Sequence, residues 1–288
     1  MARYAMVLFS VLSLLSAFAV SGNSEEEHKH VKAKIIADVS AINPGASFEL
    51  AVLLEIDPHW HIYWKNPGDS GLPTSVEFEL PQGFRVGGIR WPVPSLLKGA
   101  GNLTDYGYED SLLLSVVVTA PPGLKSGSTV DIEGNVSWVS CKDICIPGRA
   151  KLELELPVSD TSEGVNSDLF SEWRAKLPVN HSGKKPPFGI GVKTAAKGEN
   201  ETSVSILLDS ADGVSGVDLY PVPGNSFIVN NIAVKSDESG DKTSISFDVK
   251  KLESKGTSGT ELETLIVYTD KSGKRSGFEL PVNLGRAE

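Results

Sequence analysis

The sequence predicts an all-β chain built as two tandem antiparallel β-sandwich domains joined by a short helical linker. Three observations carry that expectation. Short segments rich in valine, isoleucine and aromatic residues recur along most of the 288 residues. Glycine and proline punctuate nearly every gap, as in Asn43-Pro44-Gly45, Asn66-Pro67-Gly68, Pro81-Gln82-Gly83 and Pro121-Pro122-Gly123. Helical periodicity is confined to one stretch in the middle. The composition, 40% hydrophobic and 22% charged, is ordinary for a globular protein, and the length suits about two domains.

The chain opens on an export signal. Arg3 precedes an apolar run from Met6 to Val20, and Ala17-Phe18-Ala19 has the small-x-small pattern of a cleavage site. Residues 1–22 therefore read as a signal peptide cut after Ala19 or near Gly22. The run is too short for a comfortable membrane span, which needs about 20 apolar residues, and no other stretch suits one. The mature chain is expected to be soluble and exported, in a compartment where disulfides persist.

Residues 30–158 read as the first sandwich. Its expected strands are Ala33 to Val39, Ser47 to Ile56, Val76 to Leu80, Val86 to Trp91, Leu112 to Ala120, Thr129 to Val139 and Lys151 to Pro157. Residues 159–187 form the linker. Ser167-Asp168 caps a short helix whose Phe170, Trp173 and Leu177 share one face, and Pro186-Pro187 cannot continue a helix. Residues 188–288 resume the β pattern: Gly189 to Ala196, Ser203 to Asp209, Val217 to Val222, Phe227 to Lys235, Thr243 to Lys250, Glu261 to Thr269 and Phe278 to Leu284. This second sandwich has no cysteine, and a spacer or docking role is its default. The formal net charge of −10 leaves no basic patch, so no nucleic-acid partner is expected.

The chemistry rests on the two cysteines, Cys141 and Cys145. In a continuous strand, residues four apart lie about 13 Å from one another, whereas a disulfide needs Cα atoms about 4.4–6.8 Å apart. The chain must turn between them. A hairpin with Lys142-Asp143-Ile144 at its tip is the economical solution, and it puts both sulfurs at the end of the sandwich. A bridge closing a loop of about five residues stabilises by only roughly 2 kcal/mol in the chain-entropy model. It is of more use as a bond to open and close. Two other readings stand beside this one: an inert hairpin bridge, and a metal site. Cys-x-x-x-Cys with a histidine resembles the copper site of Sco-type chaperones, and His59-x-His61 puts two imidazoles on one side of a strand. Zinc would need both histidines. Nothing in the sequence brings His59 or His61 near Cys141, and a β chain lacks the thioredoxin fold that carries the copper motif.

A longer set of motifs narrows the choice. His59-Trp60-His61-Ile62-Tyr63-Trp64-Lys65-Asn66-Pro67-Gly68-Asp69-Ser70-Gly71-Leu72-Pro73, Trp91-Pro92-Val93-Pro94, Asp105-Tyr106-Gly107-Tyr108 and Cys141-Lys142-Asp143-Ile144-Cys145-Ile146-Pro147 resemble the amino-terminal periplasmic domain of the DsbD/ScsB group of thiol:disulfide interchange proteins. The resemblance spans roughly residues 30–158, and the cysteine spacing is that of ScsB-like members. It implies an immunoglobulin-like domain and a thiol-disulfide oxidoreductase without a cofactor. Cys141 and Cys145 would take electrons from a membrane-embedded DsbD/ScsB-like reductant and pass them to periplasmic thioredoxin-like proteins. Because the chain ends at Glu288 without a membrane domain, the reductant is expected to be a separate protein. The resemblance also implies a cap loop over the cysteines, matched by Asp105-Tyr106-Gly107-Tyr108, with Tyr106 as the candidate lid. Lys142 and Asp143 flank the sulfurs with opposite charges. The aromatic alternation of Trp60, Tyr63 and Trp64 otherwise suits core packing.

Overall fold

The computed structural model describes residues 25–28, 30–98, 103–210, 214–252 and 260–285. The expected signal peptide, residues 1–22, lies outside them. The first sandwich comprises β1 (Glu25–His28), β2 (Val31–Ala37), β3 (Ser47–Ile56), β4 (His61–Gly68), β5 (Ser75–Glu79), β6 (Arg85–Val86), β7 (Ser95–Lys98), β8 (Thr104–Glu109), β9 (Ser111–Thr119), β10 (Thr129–Cys141) and β11 (Cys145–Pro157). One sheet runs β1-β2-β3-β9-β6. The other runs β11-β10-β4-β8-β7, with β5 also paired to β10. Side-chain alternation sets which face is buried. In β11, Leu152, Leu154 and Leu156 point into the core while Glu153 and Glu155 face solvent, and each buried leucine contributes about 1.5–3 kcal/mol of transfer free energy.

Helix α1 (Ser167–Arg174) follows and buries Phe170 and Trp173 against this core. Its N-cap is Asn166 rather than Ser167. The Asn166 side chain donates instead to the Ala37 carbonyl at 2.9 Å. Arg174 at the other end reaches Glu49 at 2.8 Å and Asp38 at 3.3 Å. Leu177 lies beyond the helix and is half-buried.

The second sandwich holds β12 (Gly189–Gly198), β13 (Glu201–Asp209), β14 (Ser215–Val222), β15 (Phe227–Ser236), β16 (Lys242–Lys251), β17 (Glu261–Thr269) and β18 (Arg275–Asn283). They form a four-stranded sheet, β12-β13-β16-β15, over a three-stranded one, β14-β17-β18. The two sandwiches are not separate beads. Tyr220 of β14 and Leu265 and Val267 of β17 are part of the first sandwich's hydrophobic core. Arg275 donates to the Pro94 carbonyl and to Tyr220 Oη (3.2 Å). Gly277 packs so tightly on Val93 that an added Cβ would sit 2.7 Å from its methyl group.

Three local expectations change. The segment Val86 to Trp91 is strand only at Arg85–Val86, with one further bridge from Arg90 to Ser115. The Asp105–Tyr108 segment expected as a cap loop lies in an inner strand, β8, paired on both sides by β4 and β7. The motif that begins at His59 holds a strand, β4, which starts at His61.

Candidate active site

The β10–β11 hairpin pairs in continuous register from Thr129↔Pro157 to Cys141↔Cys145. Lys142, Asp143 and Ile144 make its tip, which the Lys142 N–H closes onto the Ile144 carbonyl at 3.2 Å. Gly148 lets the chain build this end, because the Trp138 indole lies where a Cβ would be. Cys141 and Cys145 are thus direct cross-strand partners, joined by a disulfide with their Cα atoms 4.2 Å apart. Their exposure differs sharply. Cys141 is 3% exposed and packs with Tyr63 and Val139, whereas Cys145 is exposed. Ile144 beside it is 65% exposed.

Strand β4 lies along the inner edge of β10, with Cys141 opposite His61 and Ser140 opposite Ile62. Strand β8 continues the sheet, with Tyr63 opposite Gly107 and His61 opposite Glu109. Alternation then sorts the side chains. Cys141, Val139, His61, Tyr63, Asp105, Gly107 and Glu109 share the outer face; Ile62, Trp64, Tyr106 and Tyr108 share the core face.

Tyr63 is the aromatic ring against the disulfide, its hydroxyl 3.9 Å from Cys145 Sγ. The chain after β4 folds back to hold it. Gly71, at φ 75°, lies on the phenol, so any side chain there would overlap the ring as well as strain the backbone. Ser70 donates its N–H (2.8 Å) and its hydroxyl (2.6 Å) to the two oxygens of Asp105, a carboxylate 3% exposed. Asp69 and Thr104 exchange two further hydrogen bonds. Burial pushes the Tyr63 phenol above its ordinary range; the Ser70 hydrogen bond opposes that and the Asp105 charge adds to it. The phenol therefore remains a protonated donor at neutral pH.

His61 stands edge-on to Tyr63, ring centroids 5.3 Å apart. Burial holds its imidazole below the ordinary 6.5, against the pull of Asp105 and Glu109, so it is neutral at pH 7. His59 does not join it. It lies before β4, exposed, in a turn at φ 70°, while Trp60 stacks on His30 at 3.8 Å. The two imidazoles expected on one side of a strand are therefore separated by the turn. Among the described residues no group of three or more His, Cys, Asp or Glu is arranged to hold a metal ion.

The structure puts Tyr106 elsewhere from the sulfurs. It is buried on the core face, with the Tyr220 ring 4.4 Å away and Trp64 at 6.2 Å, and burial pushes its phenol up to about 12. Tyr108 is also on that face and donates to the Pro92 carbonyl at 2.7 Å. Asp105 belongs to the site, as the anchor of Ser70. Lys142 and Asp143 are exposed at the tip. Sequence reasoning assigned Tyr63 to the core and passed over Ser70 and Gly71; the glycine just after Asp69-Ser70 is the sequence signal for a close approach.

The family model for the amino-terminal domain of the thiol:disulfide interchange protein DsbD matches residues 27–157. The match falls on the first sandwich. No curated protein matches the chain. Among solved structures, the amino-terminal periplasmic domain of ScsB from Proteus mirabilis is similar at 16% identity and a TM-score of 0.64, over 92% of this chain and 98% of that one. That likeness extends the shared fold beyond the DsbD-type domain to the second sandwich. The major pilin subunit of Bacillus cereus, at 11% identity over 88% of this chain and 68% of that one, reaches a TM-score of 0.26 and carries no argument. Among the described residues no helix is long and apolar enough to cross a membrane.

Proposed function

We propose that the DsbD-type domain of this chain is a periplasmic thiol-disulfide exchange module. It would be reduced by a membrane-embedded DsbD/ScsB-like partner and would itself reduce thioredoxin-like proteins. The observation that carries the reading is the unequal exposure of the two bonded cysteines. Exchange needs an attacking thiolate to reach one sulfur of the bond while the other leaves. Cys145 is the reachable sulfur and Cys141 the leaving one. In the first step a partner thiolate bonds to Cys145 Sγ; the Cys141–Cys145 bond breaks, and Cys141 departs as a thiolate that takes up a proton. A second partner thiolate then attacks its own mixed-disulfide sulfur and releases Cys145. The partner leaves oxidised and the pair is left as two thiols. Run in reverse toward a target disulfide, Cys145 attacks and Cys141 resolves.

The surroundings suit this division. The Tyr63 hydroxyl, 3.9 Å from Cys145 Sγ, is positioned to donate to the Cys145 thiolate. No cofactor takes part in these steps. The test is a titration in glutathione or dithiothreitol buffers, read by thiol trapping and circular dichroism. The pair is expected to interconvert with the sandwich still folded; a bridge that opens only on denaturation would return Cys141–Cys145 to the inert reading.

A further inference from the structure

We infer that the second sandwich positions the exchange site, acting through Trp64 and Asn66 on the segment that holds Tyr63 against Cys145. The inference rests on the exchange reading above. The register of β4 against β8 breaks between Tyr63 and Gly68, and the residues inside that break turn to the second sandwich. Trp64 meets Tyr220 edge-on at 6.4 Å. Lys65 Nζ pairs with Glu263 at 3.0 Å. Asn66 Nδ2 donates to the Pro221 carbonyl at 2.6 Å, while its Oδ1 accepts the Gly68 N–H at 3.2 Å.

Asn66 is therefore a joint. One end of its amide is fixed by β14; the other fixes the turn that leads through Asp69 and Ser70 to Gly71 and back onto the Tyr63 ring. Gly68 leaves that turn little freedom, because its φ of 93° and its contact with the Thr104 carbonyl exclude a side chain. The junction beneath has Tyr106 and Tyr220 in ring contact and Val93 against Gly277, beside a cavity of about 310 Å³ that Trp64, Lys65 and Glu263 help to line. Tyr63 and Trp64 are neighbours on opposite faces of one strand. A shift of Trp64 or Asn66 against β14 therefore moves Tyr63 against the sulfur, since close-packed interiors transmit displacement. The junction also accounts for motifs that the sulfur chemistry leaves unused: Trp64, Lys65, Asn66, Val93, Pro94 and Tyr106 all meet the second sandwich.

The experiment uses the full mature chain and the substitution Asn66→Asp. Aspartate keeps an oxygen for the Gly68 N–H, puts an acceptor in place of the donor to Pro221 and adds a negative charge. The readout is the rate at which the reduced protein attacks 5,5′-dithiobis(2-nitrobenzoic acid) across pH 6–9, with melting temperature measured alongside. We expect a change of about three- to tenfold and a shifted pH profile, the size of coupling found within one hydrogen-bond network. Ser70→Ala is expected to be non-additive with Asn66→Asp, whereas Lys65→Ala, which removes an ion pair whose Glu263 partner is exposed, changes the rate little. Tyr220→Phe, which keeps the ring, should leave the rate as it is. A wild-type rate in a folded Asn66→Asp protein, or strict additivity with Ser70→Ala, overturns the inference. A wild-type chain that fails to react while folded overturns the exchange reading instead.

Discussion

The four-stranded sheet of the second sandwich and the β10 edge of the first treat their outward faces differently. In the second, β13 alternates from Val204 onward: Val204, Ile206 and Leu208 are buried while Ser205, Leu207 and Asp209 face solvent. Strand β16 keeps the same rhythm except at Asp248, whose burial is matched by Lys197 at 2.8 Å and Asn231 at 2.9 Å. In the first, β10 alternates from Thr129 to Trp138 and then stops, so that Trp138, Val139, Ser140 and Cys141 are all buried. β4 and β8 carry similar unbroken buried runs beside it. An outward side chain is buried only if something covers the sheet, and here the Asp69–Gly71 segment and Tyr63 do so. Period-two burial fails at the candidate site, as it also does from Leu112 to Val116 in β9 and from Thr264 to Tyr268 in β17.

The largest effect that distinguishes the two regions is chemical. Cys145→Ala is expected to abolish mixed-disulfide formation with a partner or a small disulfide. Cys141→Ala, which keeps the exposed sulfur but removes the resolving one, is expected to accumulate the mixed disulfide at Cys145. Mass spectrometry after acid quench reads both. Equal trapping by the two single variants would mean that the difference in exposure does not govern attack.

Next in size is the cover itself. Gly71→Ala places a methyl group into the Tyr63 ring at a backbone angle that L-residues avoid. A cost of about 1–2 kcal/mol from the backbone alone is expected, with faster attack on Cys145 as Tyr63 is displaced. Ser205→Ala, on the solvated face of the second sandwich, should stay within about 0.5 kcal/mol. Chemical denaturation and thiol kinetics on the two variants compare the faces directly. Equal stabilities would mean that the outer face of the first sandwich is no more tightly covered than that of the second.

Much of this architecture was legible in the sequence because alternation and turn chemistry are local. Ser47 to Ile56 and Glu261 to Thr269 are strands with the bounds that their patterns give, and the hairpin tip followed from the distance that a disulfide must span. What was not legible depends on register. Cys141 and His61 are 80 positions apart in sequence and direct neighbours across two strands, and no composition rule sets that pairing. The same holds for Tyr106. Its glycine-rich surroundings suggest a mobile loop, but pairing on both sides by β4 and β7 fixes it as a strand, and strand parity then sends its ring to the core face, against Tyr220. The junction was hidden for a related reason, since Trp64 and Tyr220 become a pair only once both sandwiches are folded.

Smaller than the glycine effect is that of one hydroxyl. Tyr63→Phe keeps the ring on Gly71 and removes only the donor 3.9 Å from Cys145. A hydrogen bond of this kind contributes about 0.5–1.5 kcal/mol, so attack by the reduced protein at pH 7 is expected to slow about two- to tenfold. Burial keeps the phenol protonated across the neutral range, so wild type and variant should differ by a shift of the thiol profile, with no added inflection from the tyrosine. An unshifted profile would reduce Tyr63 to a packing residue, like the tyrosines on the core face.

The smallest effect is the pH dependence carried by His61. Its folded-state pKa lies below the ordinary 6.5 because burial disfavours the imidazolium, more than Asp105 and Glu109 favour it. As pH falls through about 6.5, the unfolded chain takes up a proton that the folded chain resists, so stability declines with acidification in that window. Well above 6.5 both states hold neutral imidazole and the contribution vanishes. His61→Gln removes the titration and keeps a polar side chain opposite Cys141. The variant is therefore expected to lose less stability than wild type between pH 7 and 5, read as the difference in urea midpoints. A steeper loss in His61→Gln would mean that the two carboxylates outweigh burial and that the imidazole beside Cys141 is charged.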